Sequence, residues 1–541
     1  MKKKQVLFCI IISILFCFPL FTNELSLEHD TLFHLSRIAH LANAIKNSDV
    51  LPKIYFNMNL NFGYATPLFY SEIFMIPFSI LYNLNIDLVI CYKILILVFT
   101  IITAINMTYC TNNLFKNDQI SYLAAFIYLF GNYHITNVYV RSAIGEVIAM
   151  SFLPICLLGI IEVLTFEKYN SKHLIIGFTM VTLAHNISLF IISLTFLFFI
   201  IAYINKLDKQ RIMTIAKAAI ITILITSFFL LPMIEQLLDQ TFVLSLYTKT
   251  DLSAYAIGIR HLLCNNTIFK TAAINQSYPA MNVSIGYFAI IFSLLTIFVK
   301  PDRLHKTLFV IGMIFMILPT IYCNWQILSV FLSAIQFPWR LEMIALLLLS
   351  ICSSITFTKI ITNKKIMILT FIVLTIEAFY HLYPVTQRPF TISNNTRYEQ
   401  LLDGSIIDPF YSANYVRVEL AGGDYLNIDH PDFRNISKCI TASDKNITCD
   451  ITRNYNDMIF TIDQETEVTL PVSYYKGYVI IDQNNNTYPI SSNKQGLITF
   501  NANKNTYHLI YRHTKVQIIS LFISLSTLFV IIINRARKFK S

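Results

Sequence analysis

The segment Glu28-His29-Asp30-Thr31-Leu32-Phe33-His34-Leu35-Ser36-Arg37-Ile38-Ala39-His40 sets proton-handling and charged side chains close together. Wound as a helix from Asp30, at about 100° per residue, it brings His34, Arg37 and His40 round to the face that Asp30 begins. Ionisable side chains gathered on one face are a candidate site for handling protons or charge. Asp30 also gains from a helix N-terminus, where negative charge is favoured. An amphipathic interfacial helix with its polar face in water accounts for the same pattern. A second set follows at Tyr133-His134 and Tyr139-Val140-Arg141-Ser142-Ala143-Ile144-Gly145-Glu146. Glu146 stands just before an apolar run, where an ionised carboxylate needs a partner or an ion. Arg141 is the nearest cation in sequence, so a structural ion pair is the alternative to a catalytic role. The third set is Gln336-Phe337-Pro338-Trp339-Arg340. Arg340 can grip a phosphate bidentately with Trp339 stacking beside it, or the two can form an interfacial anchor. His185-Asn186, and Glu235 with Asp239, are further polar positions at the ends of apolar runs, either substrate contacts or helix-end residues.

The elements that must position these groups follow from composition. Of 541 residues, 55% are hydrophobic and only 13% charged, and the mean hydropathy is +0.57. That charged share is about half the ~25% usual in soluble domains, too little polar surface to coat several of them, and disorder is excluded on the same ground. About twelve apolar runs approach the ~20 residues needed to cross a bilayer. They lie near 5–22, 87–108, 119–132, 146–165, 174–186, 187–204, 212–231, 283–299, 307–322, 341–357, 366–383 and 516–534. The first has no small-residue cleavage site after it and reads as a retained anchor. A further run, 67–83, is short and carries Glu72 and Pro77, so it reads as a helix in the outer interface or re-entrant. An ordinary short span there is the alternative, and it would invert every later loop.

Charge orients the runs. Lys2-Lys3-Lys4 holds the N-terminus in the cytoplasm, and alternation then gathers Lys168, Lys172, Lys206, Lys209, Arg211, Lys217, Lys364, Lys365 and the basic tail on that side. The positive-inside rule thus accounts for the net charge of +10, and no nucleic-acid partner is expected. The same parity places Asp30, His34, Arg141, Glu146, His185, Glu235 and Arg340 at the outer face. A transporter sets its ionisable groups near the midplane, whereas the helix centres here are almost clear of charge. A site at the outer interface suits chemistry on a lipid-linked substrate.

The chain therefore divides into a membrane module, 1–383, an exterior segment, 384–514, and a final helix with a cytoplasmic tail, 515–541. The module's outer loops are 23–86, 133–145, 232–282 and 323–340. Residues 384–514 alternate in short runs, Tyr415-Val416-Arg417-Val418-Glu419-Leu420, Val468-Thr469-Leu470-Pro471-Val472 and Tyr478-Val479-Ile480-Ile481, with Asp482-Gln483-Asn484-Asn485-Asn486 as a turn. Period two with polar punctuation predicts a small β sandwich. Cys439 and Cys449 can bridge there, outside the cytoplasm. The fold class is an all-α polytopic bundle with a small extracytoplasmic β-rich domain.

The order of elements resembles the GT-C superfamily of polytopic glycosyltransferases. More closely, His29-Asp30-x3-His34-x2-Arg37, Gly63-Tyr64-Ala65-Thr66-Pro67-Leu68-Phe69-Tyr70, Arg141-Ser142-Ala143-Ile144-Gly145-Glu146 and Phe337-Pro338-Trp339-Arg340 resemble patterns in two groups of bacterial membrane proteins. These are the YfhO-like and the 6-pyruvoyl-tetrahydropterin synthase-related membrane proteins. Leu470-Pro471-Val472-Ser473-Tyr474-Tyr475-Lys476-Gly477-Tyr478 extends the resemblance into the exterior segment. It implies an inverting enzyme of the cell envelope, in the inner membrane, moving a sugar from a polyprenyl-phosphate donor to a glycan, lipid or protein acceptor. Asp30 matches the first-loop acid, expected to act as base or, with Glu146, to hold a divalent ion, Mg or Mn. Glu146 matches the second-loop acid, where many members carry Asp. His34, Arg37, Arg141, His185, Glu235, Trp339 and Arg340 are the expected substrate contacts. The rival expectations are a flippase or transporter for a lipid-linked sugar, and a non-catalytic scaffold whose β domain binds a partner.

Overall fold

The computed structural model describes residues 1–540 apart from 264–280, 389–390, 396–397, 399–422, 434–435, 444 and 449. The expected strand at Tyr415–Leu420 and Cys449 lie outside the described residues. Two compact units result. One comprises Met1–Leu32, Tyr92–Thr222 and Tyr247–Tyr398, and the other Phe33–Cys91, Ile223–Leu246 and Glu399–Ser541. These boundaries differ from those expected at 383 and 514, because most of the first outer loop clusters with the β-rich segment.

Apolar runs become helices because no water remains in a bilayer core to satisfy bare peptide groups. Among the described residues six helices are long and apolar enough to cross a membrane: Leu88–Phe115, Ile144–Thr165, Lys209–Asp239, Pro338–Ile360, Lys364–Gln387 and Lys515–Asn534. The chain is a multi-pass membrane protein. The expectation of about twelve spans is not met by length. The other runs fold into shorter helices, among them Lys3–Phe16, Asp118–Phe130, Lys172–Ala184 and Asn186–Ala202. The 14 residues of Lys3–Phe16 rise only about 21 Å. His185 is the break between two of these helices, extended at φ −161°. The 67–83 run splits into Thr66–Phe69 and Ile76–Asn83. Eight residues rise about 12 Å, too little to span a bilayer.

In the first unit, small residues let helix backbones touch. A Cβ on Gly159 would lie 2.3 Å from the Leu174 backbone nitrogen, and one on Gly177 would lie 2.6 Å from that of Cys156. The Ile144–Thr165 and Lys172–Ala184 helices thus interlock at both glycines, the close approach that small residues permit in lipid. This seam fixes the helix whose first turn carries Glu146.

The second unit is a sandwich of two five-stranded sheets. One runs Ser491–Ser492, Leu497–Ala502, Thr466–Ser473, Ile440–Ala442 and Lys445–Thr448 in spatial order, the other Ile451–Arg453, Asp457–Ile462, Asn505–Tyr511, Tyr478–Asp482 and Thr487–Tyr488. Inward residues alternate as period two requires. Val468, Leu470, Val472, Phe500 and Tyr507 form the core, and Ile54, Phe56, Leu68, Phe69 and Phe242 complete it from outside the strands. Cys439 is disulfide-bonded. Ser227 ties the last helix in place through its hydroxyl, 2.9 Å from the Ser520 carbonyl and 2.8 Å from the Ser524 hydroxyl.

Gly477 turns the chain between two of these strands at φ +122°, where an added Cβ would stand 2.6 Å from the Tyr511 ring. Gly477→Ala is therefore expected to lower stability by about 1–3 kcal/mol through backbone strain and overpacking. Thermal melting of the purified protein in lipid nanodiscs checks this, and an unchanged melting point would contradict the rigid turn.

Candidate active site

The site is assembled by backbone pairing between distant segments of the first unit. The Asp30 N–H donates to the Arg141 carbonyl at 3.0 Å and the His29 N–H to that of Val140 at 3.4 Å. The Thr31 and Ser142 hydroxyls meet at 2.8 Å. Asp30 is thereby laid against the turn that carries Arg141. Ser142 makes that turn in the left-handed region, φ 51°, a conformation that a non-glycine residue holds only when its surroundings enforce it.

Glu146 lies in the first turn of the Ile144–Thr165 helix. Its Oε1 accepts from the Tyr133 hydroxyl and, at 3.0 Å, from Asn137 Nδ2. Its Oε2 accepts from Arg141 Nη1 at 2.8 Å, and Arg340 Nε is 3.5 Å away. Arg141 also donates to Asn137 Oδ1. Tyr133 and Asn137 come from the short Asn132–Tyr139 helix. No motif announces Asn137, although its spacing of four from Arg141 is a helical-neighbour signal. Below the two guanidiniums lies an aromatic layer. Arg141 stands 4.7 Å over Trp339 and Arg340 5.1 Å over Phe337, and the two rings stack at 5.0 Å. Arg340 is held further by donating to the Ile335 carbonyl at 3.0 Å and to Gln336 Oε1.

Glu146 is thus a saturated anchor for two cations that keep donors in reserve. Among the described residues, Arg141 Nε and Nη2 and Arg340 Nη2 make no hydrogen bond. Asp30 is the converse. Its carboxylate accepts no hydrogen bond among the described residues, and it is half-buried, so the group keeps a path to solvent. Burial pushes its carboxyl up to about 6, Arg141 and Arg340 draw it down, and Glu146 opposes them. A free carboxylate poised near neutrality, next to two guanidiniums with spare donors, can take a proton while an anion is held.

Other expected site residues have different surroundings. His34 and Arg37 belong to the second unit. Arg37 donates through Nε and Nη2 to Glu72 at 3.1 and 2.8 Å, and through Nη2 to the Ser71 carbonyl at 3.1 Å. Its Nη1 meets His34 Nδ1 at 3.2 Å, and the Tyr70 ring lies 4.1 Å from its guanidinium. These fully buried contacts occupy Arg37 in neutralising Glu72 and bracing the break between the two short helices. Glu235 is likewise engaged, accepting from the Thr514 hydroxyl at 2.6 Å, with Lys476 Nζ 3.9 Å away. Lys476 also reaches Asp239, at 3.8 Å. His185 meets the Ser188 hydroxyl at 2.8 Å and is near enough to Glu146 to interact electrostatically.

Glu146, expected to share a divalent ion with Asp30, has its oxygens engaged by neighbouring side chains. Among the described residues no three His, Cys, Asp or Glu side chains gather where they could hold a metal, and Tyr133, Asn137 and Arg141 already occupy the Glu146 oxygens. No step is therefore routed through an ion.

The sequence matches no family profile and no curated protein. Among solved structures it is similar to arabinofuranosyltransferase AftD from mycobacteria, determined by cryo-EM, with 11% identity and a TM-score of 0.47 over 93% of this chain and 40% of that one. A mutant form of the same enzyme aligns with 13% identity and a TM-score of 0.43, over 71% of this chain and 28% of that one. The chain spans less than half the length of that protein.

Proposed function

We propose that this protein is a membrane glycosyltransferase that moves a sugar from a polyprenyl-phosphate donor to an acceptor hydroxyl at the outer membrane face. The observation that carries the reading is the unbonded, half-buried Asp30 carboxylate beside Arg141 and Arg340, whose spare donors suit a phosphate. The outer-face placement and the cytoplasmic termini rest on the charge pattern of the loops, and the inner membrane on the resemblance to bacterial polytopic glycosyltransferases.

In this mechanism the acceptor hydroxyl gives its proton to Asp30 as its oxygen forms a bond to the anomeric carbon. The bond from that carbon to the phosphate oxygen breaks, and its electron pair leaves with the lipid phosphate. Arg141 and Arg340 stabilise the charge that develops there. Direct displacement inverts the anomeric centre. Glu146 acts through the arginines by fixing their positions. The aromatic layer of Trp339 and Phe337 keeps both guanidinium planes in place.

Since Asp30 must be ionised to act as base, transfer is expected to rise with pH through about 6, where its carboxyl titrates, and to level off above. Release of polyprenyl phosphate from labelled polyprenyl-phosphate sugars, measured in proteoliposomes across pH 4.5–8.5 (roughly two units either side of that inflection), checks this. A profile falling through that range would make Asp30 an acid instead, and no release from any donor would sink the transferase reading.

A further inference from the structure

A cavity of about 360 Å³ lies in the first unit and takes no part in the site described above. Its size is within the ~300–1,000 Å³ of small-molecule sites. Its wall joins the segment entering Asp30, the turn after Arg141, the start of the Leu88–Phe115 helix and the residues Val385, Thr386, Arg388 and Thr391. Glu28, two residues before Asp30, and Ser142, next to Arg141, both line it. The cavity and the reacting groups thus share the same paired segments.

About half of the lining is polar, and its polar side chains are held by one another. Arg388 donates to Glu28 through Nε at 2.6 Å and Nη2 at 3.1 Å, and the Ser26 hydroxyl donates to Glu28 at 2.6 Å. Glu24 accepts from the Thr391 hydroxyl at 2.6 Å, beside the antiparallel pair Leu25–Ile392 and Ser26–Thr391. Tyr92, whose hydroxyl is buried near Ser142, also lines the cavity. Glu24 and Glu28 are offset by Arg388 and by Lys93, which donates to the carbonyl of the lining residue Thr22 at 2.6 Å, so the wall offers an anion no net positive charge, while its hydroxyls and carboxylates suit a polyol.

We propose that this cavity is the acceptor subsite and that it takes an uncharged, hydroxyl-rich sugar. This rests on the transferase reading and adds to it that the two substrates are sorted by charge. The anionic lipid phosphate goes to Arg141 and Arg340, and the neutral glycan goes to the cavity whose wall includes Glu28, two residues before Asp30.

The test places a reporter in the cavity of the full chain in nanodiscs. Ser26→Cys is made in a Cys323→Ser background, since Cys323 is the partly exposed member of the free cysteines among the described residues. Thr391→Cys, across the strand pair from Ser26, serves if the first variant misfolds. Maleimide labelling is timed with methyl glycosides and neutral disaccharides of hexoses and pentoses, and with glucuronate and inorganic phosphate. Several-fold slowing by at least one neutral sugar, and none by glucuronate or phosphate, is the expected result. No protection by any neutral sugar, or equal protection by glucuronate, overturns the proposal. Donor cleavage is followed separately. Asp30-dependent cleavage without protection would leave the transferase standing and the subsite lost, whereas protection without cleavage would leave a sugar site and remove the transferase.

Discussion

Replacing Asp30 by Asn is expected to lower sugar transfer by about 10²–10⁴-fold, the range that a positioned general base contributes, and to leave the protein folded. The second half of that expectation is as informative as the first. The Asp30 carboxylate accepts no hydrogen bond among the described residues, so the isosteric amide leaves no donor orphaned. Burial already penalises its charge, so losing that charge carries no folding penalty of its own. The rise through pH 6 should vanish in the variant, because the titrating group is gone. Transfer by Asp30→Asn within threefold of wild type, at equal amounts of folded protein, would exclude Asp30 as the base.

Glu146 is expected to behave in the opposite way. Glu146→Leu leaves the Arg141 and Arg340 guanidiniums with only Asp30 nearby to offset their two charges, and strips acceptors from Tyr133 and Asn137. Removing one partner of a buried ion pair costs about 3–5 kcal/mol, a large fraction of the ~5–15 kcal/mol that holds most domains together. Thermal melting in nanodiscs should show this as a large drop. The double variant Arg141→Leu with Glu146→Leu should recover part of it, since fewer charges are left uncompensated, and should remain inactive for want of a phosphate ligand. A Glu146→Leu protein as stable as wild type would place Glu146 in the chemistry after all.

Local patterns made part of this readable beforehand. The apolar runs announce helices, His185 marks a break between two of them, and the alternating runs at 468–472 and 478–481 lie within strands. Arg141 and Glu146, five residues apart, identify themselves as partners because a carboxylate at a membrane helix end needs one. The same argument applied to Glu72 would have pointed to a cation elsewhere, and Arg37 is that cation. What could not be read lies between distant positions. Nothing local links Arg340 to Glu146, or Phe56 to the strand carrying Val468 and Val472, because such contacts depend on how whole elements pack. Span lengths were unreadable for a related reason, since hydropathy measures an apolar run but not where its helix begins and ends.

The core of the second unit has a consequence for how the chain is made. Phe56 and Phe69 belong to the same apolar cluster as Val472, Tyr478 and Tyr507, about 400 residues further on. At a synthesis rate of about 5–20 residues per second, the first outer segment waits roughly 20–80 s for the strands that cover it. During that interval its aromatic side chains have no native partner to bury them. A ribosome stalled or a chain truncated before the sandwich emerges would therefore release a protein whose helices are inserted but whose earliest exterior segment is still sticky, a substrate for quality-control proteases well before any question of activity arises.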